Sequence, residues 1–110
     1  MASPREPNYV IEKHEILAET PDLRMIILTL APGQEVPWHW HSTVTDTCIC
    51  LEGTVTLETR APRASFELSP GQMCSVPPKR AHRVGGKDGS RCKFAVVQGI
   101  GHYDYNPVGA

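Results

Sequence analysis

Gly33-Gln-Glu-Val-Pro-Trp-His39-Trp-His41-Ser-Thr-Val-Thr-Asp46-Thr-Cys48-Ile-Cys50-Leu-Glu-Gly53 is the segment on which the reading of this chain turns. His39 and His41 are separated by one residue. On a β-strand, residues two apart point to the same face, so the two imidazoles can bind one ion together. Asp46 follows on the next apolar run, and His82 comes much later, after Gly71 and Pro77. A turn and the closure of a barrel would bring both to the histidine pair.

Outward from this segment the pattern is all-β. Runs rich in Val, Ile, Thr and Leu alternate with Pro-Gly punctuation, and no stretch carries a helical period. The spacing predicts strands over 9–17, 23–30, 35–41, 46–51, 54–60, 65–68, 72–76, 83–84 and 91–98. Ala31-Pro-Gly-Gln34, Glu52-Gly53 and Ser69-Pro-Gly71 are turns. Pro77-Pro78 ends a strand, because proline has no N–H for a sheet ladder. Short strands with turns every eight to twelve residues fit a sandwich or barrel, and closure removes exposed edges. The chain of 110 residues is expected to be one domain, with a core over 9–99, an N-terminal arm over 1–8 and a tail over 100–110.

Composition excludes several classes. A net charge of −1 leaves no footprint for nucleic acid or an anionic membrane. The basic residues between Lys79 and Lys93 are interrupted by glycines and Asp88, as in a solvated loop. No apolar run approaches the ~18 residues of a membrane span, and the N-terminus has no apolar leader-like stretch. The expected location is the cytoplasm, where Cys48, Cys50, Cys74 and Cys92 stay free thiols.

The segment quoted above resembles the first motif of the cupin superfamily, which runs G, five residues, H-x-H, three or four residues, E, six residues, G. Every spacing holds, and Asp46 stands where the motif has glutamate. Gly71-QMCSV-Pro77-Pro78-Lys79-RA-His82-RVG-Gly86 resembles the second motif. There Lys79 replaces the usual glycine and Gly86 the usual asparagine. The resemblance implies a jelly-roll β-barrel holding one divalent transition metal on His39, His41, Asp46 and His82. Imidazole and carboxylate donors suit Fe, Mn, Ni, Cu or Zn better than Mg or Ca. Aspartate is one methylene shorter than glutamate. Asp46 therefore binds directly, binds through a water, or leaves a three-histidine site.

Other side chains are candidates for a substrate pocket. Strand parity sends Cys48 and Cys50 to the side of Asp46, either as small buried residues or as lining thiols, and Cys74 is a third thiol of this kind. Arg80 and Arg83 flank His82, where either could pair with a carboxylate or sit in solvent. His102 and Tyr103 lie in a tail that is either a lid or a free terminus. Trp38 and Trp40 alternate with the histidines and need cover from the N-terminal arm or a second subunit. Glu35 shares the parity of His39 and His41, near a barrel rim.

The function expected from these readings is a metal-dependent small-molecule enzyme, and the resemblance further implies a homodimer. Iron would make it dioxygenase-like; Mn, Ni or Zn would point to an isomerase, lyase or decarboxylase. The alternative is a non-catalytic module that binds a metal or small ligand.

Overall fold

The computed structural model describes residues 9–108. Ten strands follow one another among the described residues: β1 (Lys13–Thr20), β2 (Leu23–Leu30), β3 (Glu35–Trp40), β4 (Thr45–Glu52), β5 (Val55–Thr59), β6 (Ala64–Leu68), β7 (Met73–Val76), β8 (His82–Gly86), β9 (Cys92–Gly99) and β10 (Asn106–Pro107). They form two five-stranded antiparallel sheets, ordered β1-β2-β9-β4-β7 and β10-β3-β8-β5-β6. This is the jelly-roll barrel expected from the sequence. The expected strand over 9–17 begins later, at Lys13, and the expected arm over 1–8 lies outside the described residues.

Alternation explains the core. On β2, Arg24, Ile26, Leu28 and Leu30 are buried, while Leu23, Met25 and Ile27 are only half-buried. On β9 the buried set is Cys92, Phe94, Val96 and Gln98. These inward rows meet Val36, Leu57 and Val84 of the opposite sheet to form one apolar cluster. One end of the interior is apolar and the other carries the polar residues of the candidate site.

The parity of β3 is broken, and the break matters. Val36 pairs with Val84 and His39 with His82, so three steps on β3 match two on β8. The extra residue is a β-bulge at Pro37-Trp38, a place where proline is tolerated. Val36 and His39 therefore both face inward, and Glu35 is exposed on the outside. The shared parity of Glu35 with the histidines does not survive the bulge.

The motif glycines sit at turns. Gly33, Gly53 and Gly71 have φ of 83°, 75° and 90°. At Gly53 a Cβ would also lie 2.7 Å from the Arg91 carbonyl oxygen. Lys79, in the place of a motif glycine, keeps the left-handed conformation at φ 69°. Its N–H donates to the His41 carbonyl at 2.7 Å, which anchors the β7–β8 connection beside the site.

Candidate metal centre

His39, His41, Asp46 and His82 converge, and one ligand atom from each lies within 4.8 Å of all the others. All four are buried. The bulged β3 and the residue after it supply His39 and His41, β4 supplies Asp46, and β8 supplies His82. His39 and His82 are partners in register, with ring centroids 4.2 Å apart.

Backbone carbonyls orient all three imidazoles. His39 Nδ1 donates to Pro37 O at 2.7 Å, His41 Nδ1 to Asp104 O at 2.6 Å and His82 Nδ1 to Arg80 O at 3.0 Å. A carbonyl cannot donate, so each Nδ1 carries the hydrogen and each Nε2 lone pair is left for the site. The Nε2 atoms of His41 and His82 lie 3.0 and 2.9 Å from Asp46 Oδ2. A bare Nε2 facing a carboxylate oxygen is an acceptor facing an acceptor. A cation must lie among them, either a proton or a metal ion. Asp46 Oδ1 is buried without a hydrogen-bond partner among the described residues, an atom that a metal or its water would satisfy. The donor set thus fits a transition-metal ion. The shorter aspartate does reach the imidazoles.

Electrostatics sharpen this picture. Burial, then the neighbouring His82 and His41, push His39 down to about 3, so it is neutral at pH 7. Burial also opposes charge on His41, but the hydrogen bond and charge of Asp46 outweigh it and raise its pKa. Burial opposes ionisation of Asp46, yet hydrogen bonds to His41 and His82 hold its carboxyl well below the usual range. Asp46 is ionised and His41 is the ring poised to hold a proton when no metal is bound.

A cavity opens beside these residues. Its walls include His39, Asp46, His82, Arg24, Gln98 and Tyr103. Its free volume is about 30 Å³, against roughly 10–15 Å³ for one water on the same scale. Tyr103 is buried, and burial, against the pull of Arg24, pushes its phenol up to about 12. Tyr105 stacks on His39, ring centroids 4.8 Å apart. The tail therefore folds over the site, held by β10 pairing with β3 and by Asp104, whose carboxylate accepts from the Ser42 N–H at 2.8 Å and from its hydroxyl.

Several expected pocket residues lie elsewhere. Arg83 faces outward because its neighbours His82 and Val84 face in; it pairs with Glu58. Its guanidinium lies 5.2 Å from the centre of the Trp38 ring, and that of Arg60 lies 3.9 Å away. These arginines cover Trp38. Arg80 contributes its carbonyl to His82, while its side chain sits outside the cavity, beside Pro77 and Pro78. His102 is exposed, and its carbonyl accepts from the Thr43 hydroxyl at 2.9 Å. Cys48 lines the cavity, but burial, and then the charge of Asp46, raise its thiol pKa well above the ordinary value. Cys50 points to the β4–β5 turn, with Sγ 3.4 Å from Gly53 O. Cys74 packs half-buried against the core rather than the cavity. Arg24, Gln98 and Tyr105 also reach the cavity. Arg24 and Gln98 were legible as polar residues in phase with the inward apolar rows of β2 and β9.

Comparison with known proteins agrees with this architecture. The Cupin_2 family model, a cupin domain, matches residues 26–98. No curated protein matches the chain by sequence. Among solved structures, an uncharacterized conserved protein with a double-stranded β-helix domain from Klebsiella pneumoniae aligns with a TM-score of 0.71 at 21% identity, covering 96% of this chain and 86% of that one. A cupin superfamily protein from Desulfitobacterium hafniense aligns at 0.71 and 20% identity, covering 87% and 82%. The oxalate decarboxylase of Lactobacillus farciminis, in a formate complex, aligns at 0.69 and 16% identity, covering 79% of this chain and 27% of that longer one. At such identities these likenesses speak to fold alone. With two thirds of its length matched by the family model and the same barrel in its structure, this chain belongs to the cupin family.

Proposed function

We propose that this cupin is a single-domain, metal-dependent enzyme acting on a small molecule, with His39, His41, Asp46 and His82 holding one Fe, Mn, Ni or Zn ion. The observation that carries the reading is the set of three Nδ1–carbonyl bonds, which leave three Nε2 lone pairs for the site, two of them 3.0 and 2.9 Å from Asp46 Oδ2. Such bonds are the usual supports of metal-binding histidines. When bound, the ion supplies Lewis-acid chemistry and, if it is iron, redox chemistry. Tyr103, kept protonated by burial, offers a hydroxyl donor. Tyr105 and the apolar walls restrict water.

Elemental mass spectrometry of untagged protein, beside the His82→Ala variant, tests the reading. Near-stoichiometric metal that is lost in the variant is the expected result. Iron would favour dioxygenase-type chemistry; Mn, Ni or Zn would favour an isomerase, lyase or decarboxylase. Wild type that carries no metal and takes none up on reloading would overturn the four-residue site and favour a ligand-binding module.

The proposal extends to a cytoplasmic homodimer. The four cysteines are unbridged, which suits a reducing compartment. Ile16 and Leu17 leave apolar surface on the edge strand β1. Among the described residues, no helix is long and apolar enough to cross a membrane.

A further inference from the structure

One rung of the β1-β2-β9-β4-β7 sheet is polar across three strands. Arg24 of β2 pairs in register with Gln98 of β9, and Gln98 pairs with Asp46 of β4. Adjacent strands lie ~4.8 Å apart, so the backbones of Arg24 and Asp46 are separated by roughly 10 Å along one wall of the cavity. All three side chains line that cavity.

Arg24 is 4% exposed. Its Nη2 lies 3.1 Å from His14 Nε2, and its guanidinium lies over the Tyr103 ring at 4.3 Å. Among the described residues its Nε and Nη1 have no hydrogen-bond partner, and neither does Oε1 of Gln98. Asp46 is the only acid among the described residues that line the cavity, and it is already engaged by His41 and His82. A guanidinium does not deprotonate in a protein. Burying one with two nitrogens unpaired is costly unless an anion arrives. Carboxylate is the anion that planar guanidinium donors match best among small organic groups.

We propose that Arg24 anchors the carboxylate of a small hydroxy acid, with Gln98 Oε1 accepting from its hydroxyl and that hydroxyl oxygen directed at the His39–His41–Asp46–His82 group. The last contact rests on the metal reading above; the carboxylate contact does not. The small free volume limits the acid to a few carbons unless the tyrosine tail moves. Arg24 is thus a binding residue that sets substrate class. Arg80 and Arg83, on the outside of the barrel, do not serve this role.

Lactate and its neutral isostere lactamide are the probes. Each is titrated calorimetrically into metal-free and zinc-loaded wild type, Arg24→Lys and Arg24→Met, with zinc content measured on the same samples. Saturable lactate binding is expected, with lactamide at least tenfold weaker. Arg24→Met should lose at least tenfold in lactate affinity while loading zinc like wild type, and Arg24→Lys should fall between. Equal binding of lactate and lactamide, or lactate affinity unchanged in Arg24→Met, would overturn the proposal. Stoichiometric zinc with no lactate binding would refute the Arg24 site and leave the metal reading standing. Arg24-dependent lactate binding without zinc uptake would do the reverse. If Arg24→Met fails to fold, the lactate-to-lactamide ratio on wild type decides.

Discussion

His41 Nδ1 donates to the carbonyl oxygen of Asp104 at 2.6 Å, across 63 positions of sequence. A histidine at the end of one strand is thereby oriented by a tail that returns over the barrel mouth. The same tail brings Tyr103 and Tyr105 against the imidazoles. Support of a metal-binding imidazole through its second nitrogen typically accounts for 10–100-fold in affinity.

Ending the chain after Gly101 should therefore weaken zinc binding by roughly 10–100-fold while leaving the far-ultraviolet circular dichroism of the sheets intact. Competition against a chromophoric chelator measures this. Unchanged affinity would mean that the tail is a passive cover.

Asp46 supplies the negative charge of the candidate metal centre. Asp46→Asn keeps the shape and removes the charge, and should lower metal affinity by at least about tenfold. Asp46→Glu restores the residue usual in the motif and should bind within about tenfold of wild type. Equal affinity for wild type and the asparagine variant would reduce the site to three histidines.

Stability of the metal-free protein should depend on pH in a direction set by His39. Its folded pKa is pushed down to about 3 by burial and the neighbouring imidazoles, whereas the unfolded chain takes up that proton near pH ~6.5. The contribution is fully present above about pH 6.5 and lost progressively as pH falls toward 3. His14, lowered by burial and by the charge of Arg24, acts in the same direction. His41, raised, contributes below about pH 6.5 and loses its contribution as pH rises through its folded pKa. The melting temperature should drop by at least ~5 °C between pH 6.5 and 4.5, and the drop should be shallower in His39→Gln. Identical acid limbs in the two proteins would contradict a buried neutral His39.

Gly86, in the place of the motif's asparagine, has a steric explanation. A Cβ there would lie 1.8 Å from the Ser90 carbonyl oxygen, where the chain turns back after β8. At Gly85 the nearest atom, Glu35 Cβ, would be 3.5 Å away, an ordinary contact. Gly86→Ala should destabilise by about 1–3 kcal/mol, clearly more than Gly85→Ala, as read by chemical denaturation. Equal effects would show that the 87–90 turn gives way freely.

Much of the fold was legible because its signals are local. The apolar run Leu23–Leu30 marks β2 at its observed bounds, and strand parity alone puts Cys48 and Cys50 on the side of Asp46, which the barrel turns inward. The parity that Glu35 shares with His39 and His41 does not carry through, because a bulge inserts one residue, and a one-residue slip reverses every side chain beyond it. Arg83, for which the sequence left a pocket role and a solvent-exposed one open, is sent out to Glu58 and Trp38 by the same alternation that turns His82 in. The chain position of His102 and Tyr103 says only that they are neighbours. One is exposed and the other buried, because the course of the tail over the barrel depends on Ser42, Asp104 and β3.

Sequence by itself determined an all-β chain with His39 and His41 on one strand face and, through its resemblance to the two cupin motifs, implied the barrel and the set His39, His41, Asp46 and His82, since motif spacing and strand parity are properties of neighbouring residues. Only the tertiary structure decided that three carbonyls orient the imidazoles and that a buried Arg24, with Nε and Nη1 unsatisfied among the described residues, shares a rung with Asp46. Those relationships cross strands that are distant in the chain. Strand pairing and closure set them, and no local pattern of residues encodes which partners meet.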